Sequence, residues 1–353
     1  MALTAGPARR KGISMKIIID AMGGDNAPHE IVKGAVDGLK SCKAEVVLVG
    51  REDVIEQELA KYPDYDKSRI TVVNATEVID NNESPVFALR RKKDSSIVKA
   101  LALVKGNDDA ALISAGSTGA LFAGGLLLCG RLKGIDRPAL ATTLPAKKGP
   151  TLLLDSGANV DSDVEHLVGF AVLGKAYMKT VFGIENPTIG LINNGAEEKK
   201  GNTLTKAAHQ ALKNDPNLNF VGNVEPRYSY DNQADVLVCD GFAGNAILKT
   251  SEGIGMYIMG SLKDEIKSSK IAMIGALFMK KALKGLKNRF NYDYYGGAPL
   301  LGVDANIIKI HGSSKSSAVV YAMIQADKMM EGKVLSAIKQ NVNEMAPQTE
   351  ADQ

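Results

Sequence analysis

Tryptophan is absent from the 353 residues, and aromatic side chains of all kinds make up only 5%. That scarcity removes the stacking platform on which single-stranded nucleic acid binds. Charge removes the electrostatic one: 43 Lys and Arg stand against 40 Asp and Glu, a net +3 at pH 7, so basic character can only be local. The three cysteines, Cys42, Cys129 and Cys239, are odd in number, far apart and set in apolar runs. They point to buried free thiols in a reducing cytoplasm rather than to a disulfide framework. No C-x-x-C occurs, and His29, His166, His209 and His311 are never three or four residues apart. No metal is therefore expected, carboxylate-held magnesium at Asp20, Asp25 or Asp240 being permitted but demanded by no spacing. No apolar run approaches the roughly 20 residues that span a bilayer.

Three nucleotide and nucleophile signatures are missing as well. The first strand leads into Met22-Gly-Gly-Asp-Asn-Ala-Pro28, which is not G-x-G-x-x-G, and no G-x-x-x-x-G-K-[ST] follows anywhere. Without the G-x-S-x-G elbow, Ser114, Ser117 and Ser156 sit on glycine turns with no histidine base in view. Their hydroxyls are expected to donate hydrogen bonds or cap helices.

What the chain does have is glycine, 35 residues of it, gathered into turns. Five apolar, strand-like runs end in small polar turns: Asp20-Ala-Met-Gly-Gly-Asp25, Ser114-Ala-Gly-Ser-Thr-Gly119, Asp155-Ser-Gly-Ala-Asn159, Asn193-Asn-Gly195 and Asp240-Gly-Phe-Ala-Gly-Asn245. Each precedes a helical pattern. Strands read at 16–21, 45–50, 70–75, 110–115, 151–155, 188–193, 219–224, 236–240 and 307–311, with helices at 30–40, 53–61, 95–105, 161–178, 201–213 and 246–262. Such alternation, with Val/Ile/Leu-rich strands, predicts a doubly wound, mostly parallel α/β sheet. In that architecture ligands gather at the carboxyl ends of the strands. Glycine admits the backbone close to a ligand, and helix N-termini favour anions. Five such turns predict a large pocket, built mostly from backbone, for an anionic substrate.

The candidate substrate-binding residues are those of the turns: Asp20, Gly23, Gly24, Asp25, Ser114, Gly116, Ser117, Thr118, Asp155, Asn159, Asn193, Asn194, Gly195 and Asp240. Lys199 and Lys200 follow Gly195 within Glu197-Glu198-Lys199-Lys200, which reads equally as a solvated loop. Asn245 and Lys249 follow the Asp240 turn, Lys249 doubling as an ordinary surface lysine. His311, in His311-Gly-Ser-Ser314, offers one titratable group, either a proton relay or a structural histidine.

Residues 263–295 break the rhythm. Lys263 to Arg289 carries eight basic residues against Asp264 and Glu265. On one helical wheel Ile274, Phe278, Met279, Leu283, Leu286 and Phe290 share an arc, opposite Lys280, Lys281, Lys284 and Lys287. That pattern predicts a protruding amphipathic segment for a membrane surface or an acidic partner, against a plain surface helix whose stripe packs in the core. Residues 1–14 read as an expression leader ahead of Met15. Residues 15–338 read as one catalytic unit ending in a helix from Ser316 to about Ile338, and 339–353 as a polar tail.

In these motifs the chain resembles the phosphate acyltransferase (PlsX) family of bacterial phospholipid synthesis. Asp20–Pro28, Ser114–Ala120, Leu154–Asn159, Leu191–Asn202, Asp240–Asn245, Gly296-Gly-Ala-Pro-Leu-Leu-Gly302 and His311–Ser314 run in the family's order from Met15 to about residue 330. The resemblance implies a fold of the isopropylmalate dehydrogenase and phosphotransacetylase type, a homodimer, and no cofactor. It implies the reaction of acyl–acyl carrier protein with inorganic phosphate to give acyl phosphate and free carrier protein, in the cytoplasm at the inner face of an anionic membrane. Phosphate is then itself the nucleophile, so no serine or cysteine is needed. Lys199 is expected to fix phosphate or the carbonyl oxygen, and Asn245 to position the thioester. The 263–295 segment is expected to touch lipid, carrier protein or both, and the second basic cluster, Ala88-Leu-Arg-Arg-Lys-Lys-Asp-Ser-Ser96, reads equally as a contact for the carrier's phosphopantetheine and as a solvated helix start. A dehydrogenase on the same architecture and a non-catalytic lipid-surface adaptor are the competing readings.

Overall fold

A computed structural model describes residues 15–289 and 296–345. The leader 1–14, residues 290–295 and residues 346–353 lie outside the described residues. β1 (Lys16–Asp20) leads to α1 (His29–Gly38), β2 (Glu45–Gly50) to α2 (Glu52–Leu59), and β3 (Ile70–Asn74) to α3 (Pro85–Arg91) and α4 (Ser96–Val104). β4 (Ala110–Ser114) leads to α5 (Thr118–Gly124), continued by a π-helical stretch to Cys129. β5 (Ala139–Leu140), β6 (Thr142–Ala146) and β7 (Gly149–Leu154) precede α6 (Val164–Phe182). Then come β8 (Thr188–Ile192), α7 (Thr203–Asn214), β9 (Asn219–Val224) and β10 (Val236–Val238). α8 (Gly241–Ser268), α9 (Lys270–Phe278) and α10 (Lys280–Arg289) follow, and β11 (Ala298–Leu301), β12 (Asn306–Lys309), α11 (Ser316–Glu331) and α12 (Val334–Met345) close the chain.

The strands form two sheets where the rhythm of the sequence suggests one. The first has the order β3-β2-β1-β4-β12-β11-β5, the second β6-β7-β10-β8-β9. Pairing is parallel from β3 across to β12 and from β7 across to β9. β11 is antiparallel to both its neighbours, and β6 is antiparallel to β7. The apolar runs of β1 (Ile17–Ile19) and β4 (Ala110–Ile113) are buried on both faces, as crossover helices require. Phe170 and Tyr177 of α6 are fully buried within the main core, which draws residues from both sheets.

Every strand read from the sequence is present, and β5, β6 and β11 are additional. These three are hard to read because β5 has two residues while β6 and β11 contain Pro145 and Pro299. Proline is tolerated at the β6 edge. α8 starts at Gly241, not at 246, because Asp240 caps it: its carboxylate accepts the Ala243 N–H at 2.7 Å. The C-terminal helix breaks at Gly332-Lys333, Lys333 taking a φ of 52°. α12 then runs to Met345 with Val342 buried, so the polar tail begins later than 339. Lys43 ties this end to the first sheet: its N–H donates to Asp327 Oδ2 at 2.7 Å, and its ammonium pairs with Glu331.

The 263–295 segment is not one helix. It comprises the end of α8, then α9 and α10, with Ser269 capping α9 and Met279 interrupting the helix between α9 and α10. The single wheel drawn through Phe278 and Leu283 therefore breaks. Nor does its apolar side enter the core. Ile274 and Phe278 are 59% and 88% exposed. Leu283 is half-buried, and Lys280, Lys281 and Lys284 are exposed. The Lys287 and Phe290 side chains lie outside the described residues. No helix among the described residues is long and apolar enough to cross a membrane.

Candidate active site

The five turns do fall at carboxyl ends of parallel strands, but they divide between two rims. On the first, the β1 and β4 turns lock together. Ser114 Oγ donates to Asp20 Oδ2 at 2.8 Å and accepts the Gly116 N–H at 3.0 Å. Gly23 lies against Gly116 so closely that a Cβ on Gly23 would stand 2.7 Å from the Gly116 nitrogen. Glycine is thus required here by the approach of two backbones. Ser117 caps α5, its Oγ accepting the Ala120 N–H at 3.3 Å, while Thr118 is exposed. The loop after β12 docks on the same turn: the Asp25 N–H donates to the Gly312 carbonyl at 2.8 Å, and Asn26 Nδ2 to that of Ser313 at 3.0 Å. His311 sits exposed on this loop with Nδ1 2.8 Å from Ser313 Oγ.

Beneath these turns lies a cation that the motifs do not reveal. Lys309, on β12, reaches the carbonyls of Ala115 and Ile310 and stands in the field of Asp20 and Asp25. Burial pulls its pKa down to about 8, with the two carboxylates pushing back. Asp20 is buried too, and desolvation raises its pKa against hydrogen bonds from Ser96, Ser114 and the Met22 backbone. A lysine in an otherwise apolar strand, Ile307-Ile-Lys-Ile310, was the available signal.

The second rim starts at Asp155. Its Oδ1 accepts N–H groups from Leu140, Gly157 and Ala158, and its Oδ2 those of the Asn159 backbone at 2.6 Å and side chain at 3.0 Å. Asn159 Nδ2 also reaches the Pro138 carbonyl at 2.8 Å. Asp155 is 0% exposed and Asn159 6%. The Asp155 carboxylate and the Asn159 amide nitrogen are consumed in fastening the end of β7 to the end of β5, so these groups are not free to bind substrate as the sequence suggested. Burial raises the Asp155 pKa, and the N–H groups pull it back. Gly244 of α8 packs on the Asp155 carbonyl with no room for a side chain. This junction joins the carboxyl ends of β5 and β7, so the two sheets present their carboxyl edges at one corner.

Beyond that corner the Asn193 and Asp240 turns open on a common cavity of about 320 Å³, lined also by Gly201, Asn202, Thr205, Cys239 and Ala243. The N-termini of α7 and α8 both point into it, an arrangement that favours an anion. Asn193 is buried, its Oδ1 accepting the Asn194 N–H at 2.8 Å and its Nδ2 donating to the Lys200 carbonyl at 3.2 Å. The loop is braced from below: Asn223 Nδ2 donates to the Glu197 carbonyl at 2.9 Å, and Asn223 Oδ1 meets His209 Nδ1 at 2.9 Å. These two supports were not read from the sequence. Lys199 and Lys200 are exposed on the same loop, and the stem of Lys200 crosses Gly195. Among the described residues Lys199 has no ion pair. Asn245 is exposed on α8, packed over Gly157. Lys249 does not line the cavity, and its ammonium pairs with Glu252 at 2.7 Å. Cys239, in the cavity wall, is no nucleophile: burial, then Asp155 and Asp240, push its thiol far up.

The carboxyl ends of β2 and β3 border a second hollow, of about 470 Å³, lined by Arg51, Glu52, Asp53, Glu56, Asn74 and Thr76. Three carboxylates against one guanidinium, itself paired with Asp53, make it unsuited to phosphate.

Residues 15–337 match the model of a family described as fatty acid synthesis protein. The chain belongs to the fatty acid synthesis protein family. Two relatives are named phosphate acyltransferase. That of Clostridium acetobutylicum is 49% identical over 332 residues, covering 94% of this chain and all of that protein. That of Clostridium perfringens strain SM101 is 47% identical over 329 residues, covering 93% and 97%. The resemblance read from the motifs therefore holds along the chain. Among solved structures, a phosphotransacetylase from Streptococcus pyogenes superposes with a TM-score of 0.57 at 17% identity, over 90% of this chain and 94% of that one. At that identity it bears on the fold alone, which is of the expected mostly parallel α/β kind.

Proposed function

We propose that this chain transfers an acyl group from the thioester of an acyl carrier protein to inorganic phosphate, giving acyl phosphate and free carrier protein for phospholipid synthesis. The observation that carries this reading is near-half identity, over almost the whole length, to proteins named phosphate acyltransferase. The cavity supports it, since two helix N-termini, asparagine amides and two neighbouring lysines suit a phosphate dianion.

The chemistry needs no protein nucleophile. A phosphate oxygen attacks the thioester carbonyl, the C–S bond breaks, and the electron pair leaves on sulfur. The proton of hydrogen phosphate ends on the departing thiol. The protein holds phosphate in line and supplies donors to the oxyanion. In this reading Lys199 and Lys200 hold phosphate or the carbonyl oxygen and Asn245 positions the thioester, above the Asn193, Asn194, Gly195 and Asp240 turns. Asp20, Asp25, Ser114 and His311 fix the neighbouring rim, beside which the donor enters.

Incubation with acyl–carrier protein and phosphate, with hydroxylamine as a trap, gives acyl hydroxamate only when phosphate is present. Equal hydroxamate without phosphate sinks the proposal.

The protein acts as a homodimer at the surface of an anionic membrane. Supporting this are Ile254, Met256, Tyr257 and Ile258 of α8 and Ile271, Leu277 and Phe278 of α9, all large apolar side chains left exposed. Vesicles containing anionic lipid are expected to float the wild-type protein and to leave Phe278→Glu behind. Equal flotation of both removes the apolar membrane contact.

A further inference from the structure

α3 carries a surface that folding does not explain. Its inner face is buried: Ala88 and Leu89 enter the core cluster that contains Ala120 and Leu121 of α5. Its outer face is formed by Phe87, Arg90 and Arg91, spaced i, i+3 and i+4 and so side by side on the helix. Phe87 is 71% exposed, and its neighbour Val86 is 43% exposed. Arg90, Arg91 and Lys93 are all exposed. None of the three has an ion pair or hydrogen bond with a described residue, and Arg91 acts on Glu83 only at a distance. Their neighbours behave differently. Lys92 pairs with Glu83 at 2.6 Å, and Lys99 pairs with Asp94. Cations at a helix C-terminus are stabilising, but that accounts for neither the lack of partners nor the bare phenyl ring.

The position of this face gives it meaning. The Pro85 ring sits against Gly119, where an added Cβ would lie 2.8 Å from Pro85 Cγ. Gly119 stands in the first turn of α5, next to Ser117 and the β4 turn of the first rim. A body resting on α3 is therefore beside the entrance to the carboxyl edge of the sheet. α9 differs in chemistry: Ile271, Leu277 and Phe278 make an extended apolar surface suited to lipid. One aromatic among unpaired guanidinium groups instead fits a polar, acidic protein surface, with the ring as anchor and the cations as steering charges.

We infer that the Phe87–Arg90–Arg91 face of α3 docks the acidic carrier protein that delivers the acyl thioester, its prosthetic arm entering beside α5. The inference rests on the reading that the donor is carrier-bound. Docking at this face is distinct from catalysis, so it governs capture of the donor and leaves the chemical step alone.

The test compares two donors, acyl–carrier protein and uncharged S-acyl-pantetheine, each with phosphate, at low and high salt. The double variant Arg90→Glu/Arg91→Glu is expected to lose about 10- to 100-fold in kcat/KM toward the carrier donor through KM. It also loses the salt dependence of the wild type, and it keeps wild-type kinetics with S-acyl-pantetheine. Phe87→Ala is expected to lose about 5- to 10-fold toward the carrier alone. Should the charge reversal unfold the chain, Arg90→Gln/Arg91→Gln carries the same expectation at smaller amplitude. Unchanged carrier kinetics in the charge variants overturns the inference. So does an equal loss with both donors, which would make α3 part of the reaction site. A changed mass by light scattering would assign the face to a second copy of the chain, and lost vesicle binding with intact carrier kinetics would assign it to lipid. If wild type turns over S-acyl-pantetheine and ignores the carrier, the donor reading itself falls, and the inference with it.

Discussion

The two carboxyl rims are made from the same kind of glycine turn, yet one is sealed and the other open. At the first, Asp20, Ser114 and Lys309 face one another: the carboxylate accepts from the serine, and the lysine donates to two backbone carbonyls. At the second, Asn193 and Asp240 border a cavity that two helix N-termini enter, with Lys199 exposed on the loop beside it. Polar groups that satisfy one another hold a fold, while helix N-termini bordering a void can hold an anionic ligand. The open rim is thus expected to control turnover and the sealed rim stability.

The largest effect expected of a single change is at the open rim. Lys199→Ala should lower kcat by about 10²–10³-fold, the usual loss for one preorganised donor, with an unchanged melting temperature. Near-normal turnover would move the decisive cation to the other rim, where Lys309 is the candidate. Lys309 itself should leave a signature in stability. Unfolded, a lysine keeps its proton up to about 10.5, whereas burial holds this one to about 8. Between those pH values the unfolded chain binds more protons, so stability rises with pH through that window. The rise amounts to about 3 kcal/mol at most, and Lys309→Met should lack it in urea titrations at pH 8 and 10.5. Parallel curves for the two proteins would mean that Lys309 is hydrated. At the corner between the rims, Gly244→Ala forces a methyl group into the Asp155 carbonyl and should cost about 1–3 kcal/mol, read as a lower urea midpoint. Smallest of all is Lys249→Ala. Its pair with Glu252 is half-exposed, so stability should move by less than about 1 kcal/mol and kcat/KM by less than twofold. A tenfold loss would return Lys249 to the site.

Much of this was legible in the residues. The strands that carry the five turns are largely apolar runs, each turn has the glycine that stops a strand, and several of the helices that follow open on a side-chain cap. The Asp240 cap and the Asn202 cap of α7 are examples. Less legible was what each polar side chain does once its turn is formed. Asp155 and Asn193 look alike in sequence, both following a strand and preceding glycine. Asp155 is enclosed by N–H groups from β5 and its own turn, whereas the Asn193 loop rises over a cavity. Pairing of β5 with the distant β11 decides this, and two residues of β5 give no periodicity from which to infer it. The amphipathic wheel through 274–290 failed for a related reason, since the interruption at Met279 puts its two halves on separate helices.

By itself the sequence determined the α/β class, the order of the main elements, the turns at the strand ends and the family, because these follow from local periodicity, capping and motif order. Only the tertiary structure decided that the strands divide into two sheets and that the half-buried Lys309 turns its ammonium onto backbone carbonyls. It alone left Phe87, Arg90 and Arg91 facing outward and assigned the turns to a sealed rim and an open one. Those outcomes depend on which distant backbone groups reach each side chain first, and hydrogen-bond saturation across a fold is not a property of any one segment.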